Sequence, residues 1–185
     1  MIRPIYLYGS EVLREVAVPA DLSKKEEIAA LIQDLWDTLA ASEGCGLAAP
    51  QIGESLRVVV VDGDVMADVY PYLKGFKRAF VNPEDIEESK EQVSYNEGCL
   101  SVPGIYCDVL RPKKIKVRYY DGDLQPREEE FDNFAARMIQ HEFSHLDGVL
   151  FTDLVAPIRR KLIGRKLQGI SAGKVATHYK STLKK

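Results

Sequence analysis

Two of the three histidines in these 185 residues stand four apart, in His141-Glu142-Phe143-Ser144-His145, which is the HExxH pattern of metal-dependent hydrolases. On a helix, residues at that spacing stack one turn above each other on one face. Both imidazoles then reach one divalent ion, with Glu142 beside it to carry protons. The bland alternative is a helix with two core histidines, each tied to its own polar partner. Such a metal site in a hydrolase keeps three protein ligands and leaves the fourth position for water, so a third ligand has to be found.

Downstream, the position where a third histidine would follow Gly148 is Phe151, and Glu142 is the last glutamate of the chain, which removes the two commonest HExxH arrangements. Asp147, Asp153 and His178 remain, but Asp147 falls off the ligand face and His178 sits in a basic tail. Upstream, Cys99 in Glu97-Gly98-Cys99-Leu100-Ser101 is the best candidate, with Gly98 giving the backbone room to approach an ion. Taken alone, Cys99 reads as a small buried hydrophobe. With Cys45 and Cys107 it forms an odd, sparse set that argues for reduced thiols rather than a disulfide framework.

A second stretch, Gly44-Cys45-Gly46-Leu47-Ala48-Ala49, matches the GxGxxA dinucleotide fingerprint. That motif must follow a strand and open a helix. Here it follows a helix and is interrupted by Pro50, so no nucleotide cofactor is expected. The glycines instead let backbone groups run close to a bound peptide, and Gln51 supplies an amide donor.

The elements that must hold these residues are legible in outline. Residues 2–8 read as an extended segment, followed by a helical turn near Val12 to Glu15. Ser23 and Glu26 form a capping box before a helix over about 24–41, whose Ile28, Leu31, Ile32, Leu35 and Leu39 recur at helical spacing. Leu56 to Val61 is a buried strand, 62–77 a surface excursion, Ala79 to Asn82 a short strand stopped by Pro83, and 84–91 an acidic solvated turn. Ile105 to Leu110 and the alternating Lys114 to Tyr120 suggest an antiparallel meander. Asp132-Asn133 caps a helix carrying Phe134, Met138, His141 and His145 on one stripe and ended by Gly148. A last helix spans about 157–168. The expected fold is α+β, one domain over 1–185, with a central metal-binding helix surrounded by antiparallel β-sheets.

Composition is that of an ordinary globular protein, with 45% hydrophobic and 29% charged residues. No apolar run is long enough to span a bilayer, and Met1-Ile2-Arg3-Pro4 does not open a signal peptide, so no membrane association and a cytoplasmic location are expected. The net charge of -3 hides an asymmetry, because no acidic residue follows Asp153 while nine basic ones do. The basic C-terminal segment 157–185 is either a solvated face or a surface for a polyanion.

With GCGLAAPQIG, EGCLS and QHEFSHLDG in chain order, the sequence resembles the peptide deformylases over most of its length, from Tyr8-Gly9 into the basic C-terminal segment. The resemblance implies a metal bound by Cys99, His141 and His145, with Fe2+ as the physiological ion, although the donor set also accepts Zn2+, Ni2+ or Co2+. It implies hydrolysis of the formyl group of N-formylmethionyl nascent peptides in a bacterial cytoplasm, with metal-activated water as nucleophile and Glu142 as general base and then acid. Gln51 and the backbone N–H of Leu100 would hold the oxyanion. Gly46 would pair with the peptide backbone, Phe134 and Met138 would line a methionine pocket, and Cys45, Glu97 and Arg111 belong with the substrate-side residues. The basic tail is expected to meet ribosomal RNA near the exit tunnel. A metallopeptidase using the same ligands is the runner-up, and a structural metal site is third. Two positions depart from the family. Ser144 replaces an aspartate that in relatives pairs with an arginine matching Arg111, which implies an altered support for the helix. Tyr106 stands where many relatives carry a basic residue that contacts substrate.

Overall fold

In the computed structural model, which describes residues 1–184, the chain runs β1 (Ile5–Tyr6), α1 (Lys25–Ser42), β2 (Gly46–Ala48), β3 (Val58–Asp62), β4 (Lys77–Glu88), β5 (Gln92–Cys99), β6 (Val102–Pro112), β7 (Lys114–Tyr120), β8 (Pro126–Asp132), α2 (Asn133–Leu146), α3 (Pro157–Ser171) and β9 (Ser181–Thr182), with short 3-10 turns between. The valines of β3 explain the layering, because all four are fully buried and alternate between two cores. Val58 and Val60 face Ile28, Leu31, Leu35 and Leu39 of α1. Val59 and Val61 face Ala136, Met138, Ile139, Phe143 and Leu146 of α2.

The antiparallel sheet has the order β2-β3-β4-β7-β8, so β2 lies at an edge. Strands β5 and β6 form a separate hairpin whose Val102, Ile105, Cys107 and Val109 pack with Ile163, Leu167 and Ile170 of α3. Helix α2 thus lies between sheet and hairpin, and the expected α+β arrangement around a central helix is present.

Several local expectations are corrected. Strand β4 does not stop at Pro83 but continues to Glu88, because a bulge between Val81 and Glu84 takes the proline out of the ladder. Asn82 holds that bulge at φ 49°, its side chain exchanging hydrogen bonds with the Ala20 backbone. The supposed acidic turn is therefore largely strand. Ser23 does not cap α1; its hydroxyl bonds Asp21. Neither Asp132 nor Asn133 caps α2 through its side chain; the Tyr72 hydroxyl accepts the Phe134 N–H at 3.2 Å instead. The basic segment is not a wholly solvated tail, because after α3 it returns to pair β9 with β1 in parallel.

Candidate active site

Cys99, at the end of β5, and His141 and His145, on α2, bring their donor atoms within 4.8 Å of one another. The Cys99 Sγ lies 3.4 Å from His145 Nε2. Two donors bound to one tetrahedral ion are expected about 3.5 Å apart, so this set fits a single divalent metal with three protein ligands. Burial drives the His145 pKa well below the ordinary value, and its Nδ1 has no partner among the described residues. His141 has its Nδ1 2.7 Å from Glu97 Oε1, which leaves Nε2 for the ion.

Glu97 is a carboxylate hub. It accepts from Arg111 Nε at 2.8 Å and Nη2 at 3.1 Å, and from the Nη1 of Arg137, a residue buried to 2% exposure. Burial opposes its charge, but the hydrogen bonds from His141 and Arg111 outweigh that and hold it below the usual carboxylate range. Burial likewise opposes charge on His141, while its contacts with Cys99 and Glu97 raise it. Glu97 and Arg111, grouped above with the substrate side, are both buried; Glu97 lines the cleft and links Arg111 to His141. Arg111 also donates to Ser144 Oγ at 2.8 Å, and Ser144 donates to Gln140 O at 3.0 Å. The hydroxyl thus keeps a neutral version of the contact.

Glu142 is buried with Oε2 unpartnered, and burial, helped by Glu97, pushes it up to about 7 although His141 opposes this. A side chain at Gly46 would sit 2.5 Å from Glu142 Oε1, so glycine is required there for the carboxylate to lie against β2. Gly98 makes room not for an ion but for the Tyr106 ring, 2.5 Å from where a Cβ would lie.

Gln51 is locked in orientation, its Oε1 accepting from Ala48 N at 2.9 Å. Its Nε2 is presented to Ser101 Oγ at 3.1 Å and to Cys99 Sγ at 3.5 Å. Leu100 begins the two-residue turn from β5 to β6. These residues open into a cleft of about 780 Å3 whose walls include Cys45, Gly46, Phe134, Met138, Arg137 and Tyr106. Burial beside Glu142 pushes the Cys45 thiol up to about 12, so it remains a neutral wall residue. Phe134 stacks on Tyr70 with ring centroids 4.5 Å apart. Sequence reasoning missed Arg137, although a charged residue one turn before His141 on an apolar stripe was the available signal. It also missed Thr177 and Tyr179 and set His178 aside as a tail residue, although all three reach the cleft.

Fold and site together point to the class of metal-dependent hydrolases, with one cysteine and two histidines placed where they could hold an ion on an α+β scaffold. Residues 2–161 match the family described as polypeptide deformylase. Peptide deformylases of Flavobacterium johnsoniae and Pseudothermotoga lettingae are 40% and 42% identical, each alignment covering 97% of this chain and 95% and 98% of the relative. The crystal structure of a peptide deformylase from Legionella pneumophila superposes with a TM-score of 0.81 at 37% identity, covering 94% of this chain and 98% of that one. The chain belongs to the peptide deformylase family, enzymes that remove the N-formyl group from nascent polypeptides in a metal-dependent reaction.

Proposed function

We propose that deformylation by this chain runs on Cys99, His141 and His145 as metal ligands, with Glu142 as the proton carrier and Gln51 and Leu100 as oxyanion donors. The observation that carries this is the gathering of three donor atoms within 4.8 Å beside a buried carboxylate with a free oxygen. When bound, the ion supplies Lewis acidity, acidifying water and polarising the formyl oxygen. Glu142, with a pKa near neutrality, accepts a proton as the nucleophile attacks and returns it to the departing amine. Formate and a free N-terminus result. The Gln51 amide and the Leu100 backbone N–H are fixed before reaction and meet the developing negative charge without reorganising. The free edge of β2 at Gly46 suits an extended peptide added as a further strand. Phe134 and Met138 give the methionine side chain an apolar wall.

The expected outcome is formate release from formyl-Met-Ala-Ser by the metal-loaded enzyme and none of the corresponding cleavage on the acetyl peptide. Glu142→Gln should retain the metal and lose at least about a hundredfold in kcat. Unchanged turnover in that variant, or equal cleavage of both peptides, would overturn the assignment.

Within the same proposal, Fe2+ is the cellular ion, checked by metal analysis of protein purified without oxygen. The nine basic residues after Asp153, with exposed Ile158 and Leu162 on α3, support docking to ribosomal RNA in the cytoplasm. No helix among the described residues is long and apolar enough to cross a membrane.

A further inference from the structure

The segment after α3 reaches the cleft. Thr177, His178 and Tyr179, beyond the residues matched by the family, stand in its wall together with Gly44 and Leu100. The segment is built in rather than draped. Lys180 O accepts from Ile5 N at 2.9 Å and Thr182 O from Leu7 N at 2.9 Å, so β1 and β9 clamp the chain immediately after Tyr179. Thr177 Oγ1 donates to Tyr179 O at 2.7 Å and stiffens the approach from the other side. His178 Nε2 lies 3.4 Å from Glu43 Oε2 at the cleft lip.

From this anchored position the Tyr179 hydroxyl donates to Leu100 O at 2.6 Å, and its ring packs with Leu100 in the α1 core. Leu100 and Ser101 form the turn between β5 and β6, where the strand ladder supplies no partner for that carbonyl. The other groups of the turn are held from elsewhere. Ser101 O accepts from Tyr8 N at 2.8 Å, and Ser101 Oγ accepts from Gln51. Cys99 would be fixed by the metal. Tyr179 therefore supplies the restraint that fixes the peptide plane following Leu100. Each peptide unit is rigid and turns only about φ and ψ, so fixing the plane after Leu100 limits the rotations by which its N–H can swing away.

We propose that Tyr179 is a positioning residue for deformylation: by holding the Leu100 carbonyl it keeps the Leu100 backbone N–H aimed at the site where the oxyanion develops. This rests on the role given to Leu100 above. Tyr179 acts through Leu100, so its removal affects the transition state more than substrate binding.

The test uses full-length, metal-loaded Tyr179→Phe, which keeps the ring and deletes the hydroxyl, with formate release from formyl-Met-Ala-Ser as readout. The expected result is a kcat lower by about five- to tenfold with KM within about twofold of wild type and unchanged metal content. Wild-type kcat in Tyr179→Phe would overturn the inference, whether or not the melting temperature falls. Tyr179→Leu, which removes ring and hydroxyl, separates the causes. Similar kcat losses in both variants assign the effect to the hydroxyl, whereas a loss in Tyr179→Leu alone assigns it to packing and overturns the inference. Absence of turnover in the wild type would instead defeat the functional assignment on which the inference rests.

Discussion

Arg111 meets Ser144 through a neutral hydroxyl, so the buried cluster behind His141 sets two guanidinium groups, Arg111 and Arg137, against the single carboxylate of Glu97. Burial and the neighbouring Arg111 both act against charge on Arg137, whose pKa is lowered although Glu97 pulls the other way. An added carboxylate at position 144 would accept a charge-assisted hydrogen bond from Arg111 and relieve this imbalance. Ser144→Asp is expected to raise stability by about 1 kcal/mol, read as a melting temperature higher by about 3 °C, with kcat/KM within about threefold of wild type. A lower melting temperature would show that the hydroxyl is already the better partner. Ser144 therefore belongs to the support of the helix and not to the three donor atoms.

Helix α2 delivers both histidines, and its two ends are tied down by residues distant in sequence. Its first turn is met by the Tyr72 hydroxyl. At its last turn Arg57 donates to Leu146 O at 3.2 Å and pairs with Asp147 at 3.0 Å, while Ala17 N also reaches Leu146 O at 2.8 Å. A guanidinium at a helix C-terminus satisfies orphan carbonyls and opposes the helix dipole. Arg57→Ala should cost about 1–2 kcal/mol, lowering the melting temperature by about 4 °C and leaving the metal stoichiometry unchanged. An unaltered melting curve would remove this anchor from the account. Strand β8 shows why some elements escape periodicity. Its Arg127-Glu128-Glu129-Glu130 has no apolar alternation, yet the strand pairs antiparallel with β7, with Lys116–Glu128 at 3.0 Å and Lys114–Glu130 at 3.1 Å. The strand depends on complementary charge in its neighbour, which its own sequence does not display.

Across the whole molecule, long-range ties close the fold around the cleft. Arg14 bonds Asp153 and also donates to Gly148 O at 3.2 Å, joining the N-terminal 3-10 turn to the chain that leaves α2. Burial would raise Asp153, but the Arg14 hydrogen bonds prevail and its pKa is lowered. A carboxylate lowered in the fold contributes stability that is present above its unfolded value and lost as pH falls through the folded one. Asp153→Asn should therefore be less stable than wild type in urea titrations above about pH 5, with the gap closing towards about pH 2. A gap of constant size across that range would show that the pair contributes through shape rather than charge.

The groups that could do chemistry are written in short-range patterns along the chain. They include a two-histidine helix, a thiol beside a glycine in Glu97-Gly98-Cys99-Leu100-Ser101, and a glycine-rich stretch ending in an amide, and local rules carry that much because helical spacing and turn composition are properties of neighbouring residues. The same patterns also place α1, α2 and the β7 alternation close to where they lie. What stands around those groups follows from long-range packing. Glu97 reaches His141 across 44 residues, and Tyr179 reaches Leu100 across 79. Such partners are chosen by how strands and helices pack, and a polar residue in an exposed-looking tail carries no periodicity to announce that it will close the wall of a cleft.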